Sequence, residues 1–112
     1  MSVIAILMQG LVRLREIGWT QGAYARHANG RMYRFDWRKE GDPGPASFSA
    51  QGAICGNDVL DMMHARDRLW RTLGARQAGF CSMAAWNDAP ERTRAEVVAL
   101  YEEAIRAVEA TA

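Results

Sequence analysis

Cysteine, histidine, lysine and long apolar runs are all scarce in this sequence, and each scarcity removes a class of protein. No apolar stretch approaches the roughly 18–20 residues that span a bilayer, so no membrane-crossing helix is expected. The two cysteines, Cys55 and Cys81, form no Cys-x-x-Cys pair and no cluster with histidine. Structural zinc takes four ligands at close paired spacings, so the pattern excludes a zinc module. The segment Met1-Ser-Val-Ile-Ala-Ile-Leu-Met8 is apolar, but no basic residue precedes it and no cleavage site follows. It does not read as a signal peptide, which makes the expected location cytoplasmic and the two cysteines free thiols. Phosphate-cradling loops are absent too, with neither a GxxxxGK nor a GxGxxG run.

What is present is an ordinary globular mixture. Of 112 residues, 49% are hydrophobic and 24% charged, which suits one domain spanning 1–112 with a core of its own. The formal net charge is +1, and this near-neutrality argues against a dedicated nucleic-acid binder. All basic residues but Lys39 are arginine, and residues 1–42 carry the positive excess while 43–112 carry the negative one.

The local pattern predicts a mainly helical α+β domain. Ser2 caps a helix to about Ile17, with Ile4, Leu7, Leu11 and Leu14 on the inward face and Gly18 as the stop. Asn29-Gly30 is a strong two-residue hairpin signal, because a type I′ turn needs positive φ at both central positions. Folding about it sets Arg26 opposite Tyr33 and Tyr24 opposite Phe35 in a hairpin over 22–37. Tyr24, Tyr33, Phe35 and Trp37 then share an inner face, with Met32, Arg34 and Asp36 outside. Lys39 to Pro45 is a loop. A helix is expected over 46–55, with Gly52 inside it marking a close backbone approach. Asn57 caps a longer helix over 58–73 whose buried stripe is Leu60, Met63, Trp70 and Leu73. Ser82 starts one short turn, Asn87-Asp88-Ala89-Pro90 turns the chain, and Thr93-x-x-Glu96 is a capping box opening a helix over 94–109. The expected architecture is therefore four main helices around one β-hairpin, with Trp19, Trp70 and Trp86 buried and Trp37 partly so.

Two groups of residues carry candidate chemistry. Asp58, Asp61 and His64 recur one per turn on one helix face, a spacing that lets two carboxylates and an imidazole converge on a metal ion. The same spacing also fits a solvated face whose aspartates serve the helix N-terminus. The hairpin gathers Arg26, Arg31, Tyr33, Arg34, Trp37 and Arg38, a mixture of aromatic and guanidinium groups typical of protein interfaces and of nucleic-acid stacking surfaces. No feature brings Cys55 or Cys81 to a histidine, and adjacent Glu102 and Glu103 point apart on a helix.

Four stretches together resemble a family. They are Gly18-Trp-Thr-Gln-Gly-Ala23, Asn29-Gly30, Phe48-Ser-Ala-Gln-Gly-Ala-Ile54 and Ala85-Trp-Asn-Asp-Ala-Pro90 followed by Arg92-Thr93. The chain resembles, over roughly 11–109, a family of short bacterial and phage proteins known only as a domain of unknown function. The resemblance implies a Phe-Cys-x-x-Gly-Ala pattern in which this chain has Ser49 in place of cysteine, and it implies no activity.

The combined reading is a small cytoplasmic protein-binding or accessory protein, phage- or mobile-element-borne, inhibiting a host or defence protein by direct contact. It calls for a protein partner and no cofactor, and the oligomeric state leaves no mark in the sequence. A small hydrolase or metal-dependent enzyme using His64, Asp58 and Asp61 is the alternative, and a nucleic-acid accessory protein the third reading.

Overall fold

The computed structural model describes residues 2–34, 41–56 and 58–111. Helix α1 runs over Val3–Val12, and the chain then widens into a π-helical turn, Arg13–Ile17, before Gly18. Strand β1 (Ala25–Arg26) pairs antiparallel with β2 (Ser47–Phe48), Ala25 opposite Phe48 and Arg26 opposite Ser47. Helix α2 spans Val59–Leu73 and tightens into a 3-10 turn at Gly74–Gln77; α3 is short, Met83–Asn87, and α4 is long, Arg94–Thr111. The result is the expected mainly helical α+β domain, although its four helices are not the four expected.

The helix ends are chemically specified. Ser2 Oγ accepts the Ala5 N–H, and Ser82 Oγ accepts the Ala85 N–H. Thr93 and Glu96 close a reciprocal box: Thr93 Oγ1 accepts the Glu96 N–H while the Glu96 carboxylate accepts the Thr93 N–H. The cap of α2 is Asp58, whose Oδ1 accepts from Leu60 and Asp61 N–H, rather than Asn57, which lies outside the described residues. Arg94 donates to the carbonyls of Leu14 and Arg15, satisfying acceptors in the π-turn and tying it to the start of α4.

Helices α1, α2 and α4 pack on one another around Ile6, Leu7, Leu14, Leu69, Leu73, Val97, Leu100 and Tyr101. Gly10 lies against the Tyr101 ring, where a Cβ would sit 2.6 Å from Cε2. Three expectations about the inward faces change here. On α2 the buried positions are Ala65, Leu69 and Leu73, while Leu60 and Met63 are exposed, so the buried stripe is rotated about the helix from the expected one. Trp86 is buried, whereas Trp19 and Trp70 are only half-buried; Trp37 lies outside the described residues.

The second change is at residues 46–55, which form no helix. Ser47 and Phe48 join the sheet, and only a single turn follows: Ala53 N–H bonds to the Ser49 carbonyl and Ser49 Oγ accepts the Gly52 N–H. Gly52 is indeed a close approach. A Cβ there would stand 1.7 Å from the Tyr24 carbonyl oxygen, so no other residue fits.

The third is the hairpin register. Asn29 does not take positive φ; Gly30 alone does, at 87°. His27 C=O accepts Gly30 N–H, and His27 N–H reaches Arg31 C=O, which is a three-residue loop of a type I turn and a glycine bulge rather than a two-residue type I′ loop. Arg26 therefore faces Met32, not Tyr33. A one-residue slip exchanges the faces of a strand. Tyr33 stays inside with Ala25, and its ring centroid is 4.8 Å from that of His27. Tyr24 moves out, 56% exposed, beside Met32 at 60%. Phe35, Asp36, Trp37 and Arg38 lie outside the described residues.

Candidate functional site

The hairpin face expected to bind a partner is partly spent on the fold. Arg26 donates through Nε to Thr20 Oγ1, through Nη2 to the Gln21 carbonyl and through Nη1 to the Gly30 carbonyl, so it braces the hairpin rather than projecting from it. Tyr33 is core. What the register leaves on the outside is Tyr24, Met32, Arg31 and Arg34, all exposed. Met32 lies outside as expected, while Tyr24 escaped sequence reasoning because the Asn-Gly signal fixed a turn but misjudged its length by one residue.

The Asp58, Asp61, His64 triplet is not brought together as ligands. The Asp58 carboxylate is committed to two backbone N–H groups at the start of α2, and His64 is exposed. Among the described residues no group of three or more His, Cys, Asp or Glu side chains is placed to hold a metal ion. Cys55 and Cys81 are free thiols; Cys55 is half-buried with its Sγ donating to the Gly52 carbonyl at 3.4 Å, and Cys81 is exposed.

Three of the four stretches that carried the resemblance, all but Asn29-Gly30, converge on Asn87. Its side chain is 1% exposed and bonded at both ends. Oδ1 accepts Trp19 Nε1–H at 2.8 Å and Ala50 N–H at 3.0 Å; Nδ2 donates to the Thr20 carbonyl at 3.1 Å and to Asp88 Oδ1 at 3.0 Å. Gln21 Nε2 answers by donating to the carbonyls of Asn87 and Ala89, and Asp88 Oδ1 accepts the Gly22 N–H. Three chain segments far apart in sequence are thus stapled by one amide. With its bonding capacity taken up inside the protein, Asn87 has nothing left for a ligand; Asn87-Asp88 is a structural corner, and Trp86 lines the hollow beside it.

Next to that corner lies an open hollow of about 380 Å³, lined among others by Phe80, Trp86, Glu91, Arg92 and Glu96. Arg92 lies against its aromatic residues. The guanidinium carbon sits 4.0 Å over the Trp86 ring and 5.5 Å from Phe80, Nε donates to the Trp86 carbonyl, and Nη1 pairs with Glu96 at 2.8 Å. Partial burial works to raise the Glu96 carboxyl, but the bonds from Arg92 and Thr93 outweigh it and hold it below the ordinary glutamate range. Arg76, which also lines the hollow, is tied to the carbonyls of Thr72 and Leu73 and to Glu103.

The turn at 49–55 is fastened from several sides. Besides the Asn87 bond to Ala50 N–H, the Tyr101 hydroxyl donates to the Ala50 carbonyl and Arg13 Nη1 donates to the Ala53 carbonyl at 3.0 Å. Burial pushes the Tyr101 hydroxyl far above the usual tyrosine range, Cys55 adds to the rise, and the charges of Arg13 and Arg66 oppose it. The Ser49 hydroxyl, where the resemblance implies cysteine, is buried and accepts the Gly52 N–H.

Among the described residues no helix is long and apolar enough to cross a membrane. A family model described as "Family of unknown function (DUF6197)" matches residues 1–107. No curated protein and no solved structure matches the chain.

Proposed function

We propose, from the premise that this chain belongs to the DUF6197 family of unknown function, that it works by binding another protein through the outer face of its hairpin. The observation that supports this reading is the face itself: Tyr24 and Met32, 56% and 60% exposed, flanked by Arg31 and Arg34. Aromatic residues, methionine and arginine are the side chains enriched at protein interfaces. The internally bonded Arg26, opposite Met32 across the hairpin, braces the face, which lowers the entropy lost on docking. The commitment of Arg26 to the fold also removes a cation from any phosphate-binding role of the hairpin.

In this reading the protein is a small cytoplasmic accessory or inhibitory factor, carried by a phage or mobile element and directed at a host or defence protein. The experiment is retention of a partner from nuclease-treated native-host lysate, repeated with Met32→Asp and Arg31→Glu. Both substitutions sit on exposed positions, so the variants fold. One stoichiometric protein partner, lost with either variant, is the expected result. A partner held equally well by both variants refutes the hairpin as the contact surface, and retention that disappears with nuclease refutes a protein partner.

A further inference from the structure

We propose that Asn29-Gly30, at the hairpin tip, is a site of spontaneous covalent modification, where the asparagine side chain closes on the next peptide nitrogen and reopens as aspartate or isoaspartate. The reaction is intramolecular and needs no partner. Gly30 N gives its proton to hydroxide and attacks Asn29 Cγ; the Cγ–Nδ2 bond breaks, and Nδ2 takes a proton and leaves as ammonia. The product is a five-membered succinimide. Water then opens it at one of two carbonyls. Cleavage between Cγ and the Gly30 nitrogen gives aspartate, and cleavage on the main-chain side gives isoaspartate, whose backbone runs through Cβ and Cγ. Nothing is oxidised or reduced, and water and hydroxide are the only co-reactants.

The loop supplies what each step needs. Ala28, Asn29, Gly30 and Arg31 are all exposed, so hydroxide and water reach the reacting atoms. Gly30 has open space where a Cβ would stand, and no side chain crowds the ring that forms. Arg31 N–H donates to Asn29 Oδ1 at 3.0 Å, which polarises the amide carbon and stabilises the oxygen that turns negative in the tetrahedral intermediate. The Arg26 guanidinium, held on the Gly30 carbonyl at 3.0 Å, adds a fixed positive charge to the same loop. Among the described residues nothing holds Nδ2, the leaving nitrogen. The restraint on the nucleophile is one bond, from Gly30 N–H to the His27 carbonyl at 2.9 Å, and a turn bond at an exposed tip is among the first to open.

Asn87 has the opposite surroundings. Both ends of its amide are bonded inside the protein, and the N–H that follows it, on Asp88, is held by the Ala84 carbonyl at 2.9 Å. The same chemistry is therefore blocked there. At the hairpin the two products differ in effect. Aspartate keeps the backbone, and its carboxylate still accepts the Arg31 N–H. Isoaspartate lengthens the main chain by one atom inside the loop whose length sets the register, and shifts Gly30 from its bonds to His27 and Arg26.

The test is to age the whole chain at neutral and mildly alkaline pH, native and unfolded in guanidinium chloride, and to follow both asparagines by mass spectrometry. Cleavage after arginine releases His27–Arg31 apart from the peptide that carries Asn87, and synthetic standards separate aspartate from isoaspartate. The expected result is conversion at Asn29, faster as pH rises, with Asn87 unchanged and the native chain reacting at least as fast as the unfolded one. Asn29→Ser should abolish the mass gain in its peptide. Asn29→Asp should keep the parental melting temperature, while the isoaspartate fraction of the aged protein should melt lower. An Asn29 that stays intact in the native chain overturns the site. Conversion severalfold slower in the native than in the unfolded chain overturns the activating role of the loop, and equal reaction at Asn87 overturns the selection between the two. An isoaspartate fraction that melts with the parent overturns the effect on the hairpin.

Discussion

Replacing Asn87 with alanine tests the corner most directly. The substitution removes the acceptor of Trp19 Nε1–H and Ala50 N–H and the donor to the Thr20 carbonyl. The Ala50 bond is fully buried, so its N–H is left with no partner, at about 1–3 kcal/mol; the part-buried Trp19 indole adds about 1 kcal/mol. The expected loss is roughly 2–4 kcal/mol, a large share of the 5–15 kcal/mol that typically holds a domain together. With a urea dependence of about 1–2 kcal/mol per molar, the unfolding midpoint should fall by about 2 M, followed by far-ultraviolet circular dichroism so that Trp19 variants can be compared. Asn87→Asp should not rescue it, because a carboxylate oxygen would then face the Thr20 carbonyl and Asp88. In the double-mutant cycle Asn87→Ala with Trp19→Phe, the losses should be less than additive, since both remove the same bond. A midpoint shift below about 0.5 M with unchanged slope, or strict additivity with Trp19→Phe, would refute the stapling role.

Other perturbations have equally definite outcomes. Gly52→Ala drives a methyl into the Tyr24 carbonyl and should leave no cooperatively folded protein, judged by the loss of a sigmoidal melting curve. Thr93→Ala should cost about 1 kcal/mol through the α4 cap. Because Glu96 is held below its ordinary value, its contribution is complete at neutral pH and is lost as pH falls through the depressed value; the stability gap between Glu96→Gln and the parent should therefore close in acid, as chemical denaturation at several pH values will show. Leu60→Asp should shift stability by no more than about 0.5 kcal/mol, while Leu69→Ala should cost about 2–5 kcal/mol, the reverse of what a buried Leu60 requires.

The parts of this fold that were legible in the sequence are those decided within a few residues. Ser2, Ser82 and the Thr93–Glu96 box act on backbone groups three positions away, so their chemistry is visible in the string. Gly52 was legible as a close approach but not as part of an irregular turn. Residues 46–55 have little local against a helix beyond Gly52; what prevents one is Tyr24, Asn87, Arg13 and Tyr101, all distant in sequence, each claiming a backbone group of that segment. The α2 stripe failed for a related reason: Leu60 and Met63 have the right spacing for burial, but among the described residues nothing covers them, and they stay exposed. At the hairpin, the choice between a two-residue loop and a glycine bulge is a difference in φ at the single residue Asn29, and that difference decides that Tyr24 rather than Ala25 faces outward.

The fastening of the 49–55 turn bears on how the chain folds as it is made. Its clamps pair Ala50 with Asn87, Ala53 with Arg13 and Ala50 with Tyr101, separations of 37, 40 and 51 residues. Contacts so distant in sequence must wait for loop closure, so this helical domain should fold slowly for its size. On the ribosome, α1 and the hairpin emerge with their apolar faces uncovered and stay so until α4 follows. The turn stays unlocked until the last helix supplies Tyr101, and a chain halted before that point offers exposed strand edges and apolar helix to whatever binds unfinished proteins.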